Sequence, residues 1–128
     1  MAVGQLYARI MAALFSRDDV FAVCDALPAT RNETPFGPET SVYKVVGKVF
    51  AITNLDGEPV TVTLKADPPH AEALVRDYPW ITPGYHMNKR HWVTVTIGPD
   101  ADPQLVTDLI VNSYERVVEG LPRAKRPT

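Results

Sequence analysis

The chain has 128 residues, of which 45% are hydrophobic and 22% charged, and a formal net charge of −2. That length supports one domain with its own core, needing neither disulfides nor a metal to staple it. The slightly acidic balance excludes polyanion binding by net attraction, so any nucleic-acid contact has to come from a local patch.

No stretch approaches the roughly 20 apolar residues of a membrane span. Leu6, Tyr7, Ile10, Met11, Leu14 and Phe15 recur at three- and four-residue steps, which predicts an amphipathic helix over residues 1–16. Arg9 lies inside that run and no cleavage site follows it, so a secretory leader is not expected and a cytoplasmic location is. Ser16 followed by Asp19 has the form of a helix N-cap, opening a helix through about Leu27 that Pro28 stops. The single cysteine, Cys24, shares a helical face with Val20, Phe21 and Leu27, which predicts a buried, unreactive thiol.

The segment TRNETPFGPET is extended and rich in turns. SVYKVVG and KVFAIT, with Gly47 between them, predict a hairpin, and Asp56-Gly57 predicts a turn into VTVTLK. In that last run Val60, Val62 and Leu64 alternate with Thr61, Thr63 and Lys65. Asp67-Pro68 starts a short helix reaching about Tyr78, and Pro79 and Pro83 forbid its continuation. A strand follows, with Val93, Val95 and Ile97 on one face and Trp92, Thr94 and Thr96 on the other. Asp102-Pro103 then opens a helix with a broad apolar face ending at Gly120, and the tail, residues 123–128, is expected to be flexible. Clustered strands with helices before and after predict a single α+β domain, a two-layer sandwich of an antiparallel sheet with helices packed on one face.

Charge is distributed unevenly. The predicted sheet segments, residues 42–53, 59–66 and 78–99, hold Lys44, Lys48, Lys65, Lys89 and Arg90 and no acid, a local +5; the rest has 13 − 5 = 8 bases against 15 acids, or −7. A sheet face bearing Lys44, Lys65, Thr61, Thr63 and Trp92 is chemically suited to phosphates, with an aromatic to stack on a base or sugar. The turn PGYHMNKRHW adds His86, Asn88, Lys89 and Arg90 as further donors. Three readings stay open: a DNA-binding surface, a module binding a small anion or a protein partner, and an ordinary solvated sheet face. No nucleophile elbow, phosphate loop or dinucleotide fingerprint occurs, and His86 and His91 have no carboxylate between Asp77 and Asp100 to complete a metal site. No enzymatic activity, catalytic residue, metal ligand or cofactor is therefore assigned.

The pieces LPATRNETPFGPETSVYKVVGKVFAI and LKADPPHAEALVRDYPWITPGYHMNKRHWVTV, from about Asp18 to Pro122 with the closing helix, resemble the MmcQ/YjbR-like proteins, small bacterial proteins described as DNA-binding. The most specific part runs from Pro83 to Lys89 together with Trp92. The resemblance implies a frataxin-like α+β fold and a double-wing grip on double-stranded DNA by strand-connecting loops. Carried onto this chain, the implied contacts are Lys44, Lys48, Lys65, His86, Asn88, Lys89, Arg90 and Trp92. The residues before Ser16 extend beyond the family's usual start; their helix is expected to cover part of the sheet or to mediate a homodimer. Trp80 stands where the family pattern has a small residue, at the approach to the cationic turn.

Overall fold

The computed structural model describes residues 15–84 and 87–127, so the predicted helix before Ser16, Tyr85 and His86 lie outside the described residues. Helix α1 (Arg17–Ala26) opens on the expected capping box: the Ser16 hydroxyl accepts from the Asp19 amide, and the Asp19 carboxylate accepts from the Ser16 amide. Then come β1 (Thr30–Glu33), β2 (Thr40–Val45), β3 (Lys48–Asn54), β4 (Val60–Lys65), α2 (Pro68–Asp77), β5 (Ile81–Pro83), β6 (Trp92–Ile97) and α3 (Pro103–Glu119).

The six strands form one antiparallel sheet in the order β1-β2-β3-β4-β6-β5. The alternation in β4 and β6 is honoured residue by residue: Val60, Val62 and Leu64 face Ile97, Val95 and Val93 across the ladder. These side chains join one core with Val20 and Cys24 of α1, Ala71 and Leu74 of α2, and Val106, Leu109, Ile110 and Val117 of α3. Helix α3 lies across β2, β3 and β4, α2 lies against β5 and β6, and α1 against α3 and β1. The α+β architecture with helices on one sheet face is thus as expected. Burial pushes the Cys24 thiol up to about 12, with the charge of Asp25 adding to it, so the thiolate nucleophile is suppressed.

Three features depart from the sequence reading. The register shifts between Tyr43 and Lys44, because Tyr43 pairs with Ala51 but Lys44 with Val49, leaving Phe50 as a bulge residue. That extra residue lets Phe50 enter the core beside Ala51, edge-on to Tyr114 at 5.3 Å. Two short edge strands, β1 and β5, flank the predicted ones. Finally, the tail is tied down: Arg123–Lys125 form a 3-10 turn, and the Arg126 guanidinium donates to the carbonyls of Leu121 and Glu119 at 3.0 and 2.9 Å, satisfying orphan acceptors at the end of α3.

Candidate nucleic-acid interface

Strand directions decide which loops share an end of the sheet. The ladder places the start of β1, the β2–β3 hairpin, the end of β4 and the β5–β6 connection together, and the contacts of Arg116 with Asp67 and of Tyr114 with Pro28 bring the end of α3 there. Arg31, Lys44, Lys48, Lys65, Lys89, Arg90, Arg123 and Lys125 all lie at or near this end. The opposite end carries the turns with Glu39, Asp56, Glu58, Asp100 and Asp102, together with Asp18 and Asp19 of α1. Topology thus gathers the sheet's cations at one end, which also holds Glu33, Asp67, Glu72 and Glu119.

Within that end the predicted residues sort into two groups. On the sheet face turned away from the helices, Arg31 pairs across the ladder with Lys44, and Lys65 with Trp92. The half-buried Lys44 ammonium is bound to Glu33 at 2.8 Å, and this hydrogen bond and charge, with a smaller contribution from Arg31, hold the Glu33 carboxyl below its ordinary value. Thr63 and Thr94, expected to be displayed on this face, are only 7% and 9% exposed, and their hydroxyls hydrogen-bond each other at 2.9 Å. The polar character of the face therefore lies in its outer positions. Lys48 does not join it: its ladder partner is Val45, a core side chain, so Lys48 stands on the helix side at the hairpin's end.

The second group is the loop between β5 and β6. Gly84 is required there by close approach: a Cβ would come within 2.7 Å of the Trp92 Cβ and 2.9 Å of its carbonyl oxygen, which already accepts from the Gly84 amide at 2.8 Å. The loop spends several donors on itself. Asn88 Oδ1 accepts from the Arg90 amide, and the Lys89 ammonium donates to the Gly84 carbonyl at 3.0 Å. Lys89 and Arg90 then line a groove of about 720 Å³ against the side of α2, with Pro68, Ala71 and Val75 opposite. Among the described residues, no carboxylate ion-pairs with Lys48, Lys65, Lys89 or Arg90.

The start of α2 adds no anion site of its own. Pro68 and Pro69 occupy its first two positions and remove two amide donors, and Asp67 makes no capping hydrogen bond. Its carboxylate instead faces Arg116 of α3 at 3.6 Å. Sequence reasoning missed Arg31, Arg123 and Lys125. Arg31 carried no signal because β1 lacks alternation, and the other two sat in a tail expected to fray. Among the described residues, no cluster of three or more His, Cys, Asp or Glu side chains could hold a metal ion, and no helix is long and apolar enough to cross a membrane.

Fold and register define a two-layer α+β domain with a six-stranded antiparallel sheet and a basic end. The YjbR family model matches residues 25–116, and the chain belongs to the YjbR family. It is 44% identical over 98 residues to YbdF of Escherichia coli O157:H7, covering 76% of this chain and 80% of that one. It is 28% identical over 108 residues to YjbR of Escherichia coli K12, covering 84% and 92%. Among solved structures, DR2400 of Deinococcus radiodurans, a DUF419 domain, superposes with a TM-score of 0.83 at 38% identity, over 89% of this chain and 87% of that one. A Pseudomonas syringae protein shares the fold, with a TM-score of 0.69 at 23% identity over 79% and 97%.

Proposed function

We propose that the chain is a cytoplasmic, frataxin-like DNA-binding protein of low sequence specificity. Its basic end grips the phosphates of a duplex, with the β2–β3 hairpin and the β5–β6 loop as two wings. The observation that carries this reading is the gathering of Lys44, Lys48, Lys65, Lys89 and Arg90 from three separate segments at one end of the sheet, where among the described residues Lys44 alone of the five is ion-paired. Lysines are point-charge partners for phosphate, and Arg90 alone offers a bidentate fork, so base readout is minor. Trp92, half-buried at the start of β6, supplies an aromatic edge beside Lys65.

The test is fluorescence anisotropy of a labelled duplex across a salt series. With four to five phosphates neutralised, the slope of log K against log salt is expected near about −4. Lys89→Ala/Arg90→Ala should weaken binding of unrelated sequences alike and make the slope shallower by about 2. Absence of binding at low salt overturns the reading. One observation favours a second reading, a small anionic metabolite held by Lys89 and Arg90: both line the groove against α2. In that case a single metabolite saturates the protein, and Lys44→Ala/Lys65→Ala leaves its affinity unchanged.

A further inference from the structure

Phe36 is 75% exposed at the tip of the β1–β2 turn, whereas nearly every other large apolar side chain among the described residues is at least partly covered. The turn holding it is bounded by two prolines, Pro35 and Pro38. The Gly37 amide donates to the Thr34 carbonyl at 3.5 Å, and Gly37 sits at φ +121°. The Glu39 carboxylate lies beside this turn, 2.8 Å from where a Gly37 Cβ would stand. The molecule thus presents an aromatic peg with an anionic companion.

The groove against α2 has the complementary character. Its floor is apolar, from Pro69, Ala71, Val75 and Pro83; its rim carries Lys89 and Arg90, with Glu72 and with Arg76, whose guanidinium is already held by Asp77 at 2.9 and 3.1 Å. At about 720 Å³ it has room for a phenyl ring and a carboxylate. Peg and groove cannot meet within one molecule. They lie at opposite ends of the strands, and β2 and β5 are four positions apart in the sheet, about 19 Å at a spacing of ~4.8 Å.

We infer that a second copy of this chain is the groove's occupant, seating Phe36 over Val75 and Ala71 with Glu39 toward Arg90 and Lys89. The contact is heterologous, so it propagates head to tail instead of closing as a two-fold dimer. A single ring buries only about 150–250 Å², so the association is weak and concentration-dependent. It shares Lys89 and Arg90 with the DNA reading but adds the Phe36 turn and the apolar floor, which that reading does not use, so Phe36→Ala, with both cations in place, separates the two.

The experiment is sedimentation of the full chain over a concentration series, at low and high salt, for wild type, Phe36→Ala, Arg90→Glu and an equimolar mixture of the two variants. Circular dichroism melts confirm that each variant is folded. Wild type is expected to grow beyond dimers as concentration rises, less so at high salt, with each variant alone weakened roughly tenfold or more. The mixture should form dimers and nothing larger, because the intact peg of one variant meets the intact groove of the other. A wild type that stays monomeric, a Phe36→Ala chain that associates like wild type, or a mixture that fails to pair overturns the inference. Loss of duplex binding with assembly intact would fault the DNA reading alone.

Discussion

Ser113 illustrates how one hydroxyl supports the basic end. The Phe50 bulge interrupts the β3–β4 ladder, which pairs only Ala51 to Thr53 with Leu64 to Val62. Beyond it the Phe50 carbonyl and the Lys65 amide need other partners, and Ser113 supplies both. Its hydroxyl donates to Phe50 at 2.6 Å and accepts from Lys65 at 2.8 Å, fully buried. Ser113→Ala leaves two buried backbone groups unsatisfied, so a loss of about 2–4 kcal/mol is expected in urea unfolding. Amide exchange at Lys65 should accelerate in the same variant. None of this was legible in the sequence, where Ser113 is a small polar residue interrupting the apolar face of a helix. Only the bulge, a tertiary event, gives it two partners.

At the level of elements, the strongly patterned ones were readable. Strict alternation delimits β4 and β6, the capping residues delimit α1, and Asp102-Pro103 with Gly120 delimits α3. The Asp102 carboxylate accepts from the Gln104 amide at 3.1 Å, as an N-cap should. β1 and β5 were not legible as strands, because TRNE has no apolar face and ITP is three residues long; each is held only by its neighbour in the ladder. The β2–β3 turn was placed correctly by Gly47 at φ +78°, but its other corner is Val46 at φ +48°, a β-branched residue in the left-handed region. Asparagine tolerates that backbone and forms the preferred Asn-Gly pair of such hairpins. Val46→Asn is therefore expected to raise stability by about 1 kcal/mol in a thermal or urea melt. An unchanged or lower stability would mean that the half-exposed Val46 side chain contributes packing that outweighs the strain.

For the whole molecule, a net charge of −2 conceals a polarity that only the topology completes. The runs free of acid were visible in the sequence; that their cations share an end with Arg31 was not. Among the described residues Glu33 is the carboxylate paired with Lys44, and it gives the basic end a pH dependence. Its folded value is depressed, so the pair contributes above the ordinary carboxylate range and is lost as pH falls through that depressed value. Carboxyl NMR titration should show Glu33 moving up toward its ordinary value in Lys44→Met. Under the duplex-binding proposal, Glu33→Gln, which releases Lys44 without acid, should raise duplex affinity at neutral pH. The two borders of the sheet have a separate consequence. One is four residues long with Arg31 and Glu33 on it, and the other is three residues long and ends in Pro83, which has no amide to offer. Neither invites a further strand, so the sheet is guarded against the open-ended stacking that makes exposed edges an aggregation hazard, and any visitor must be met by side chains and turns, not by the backbone.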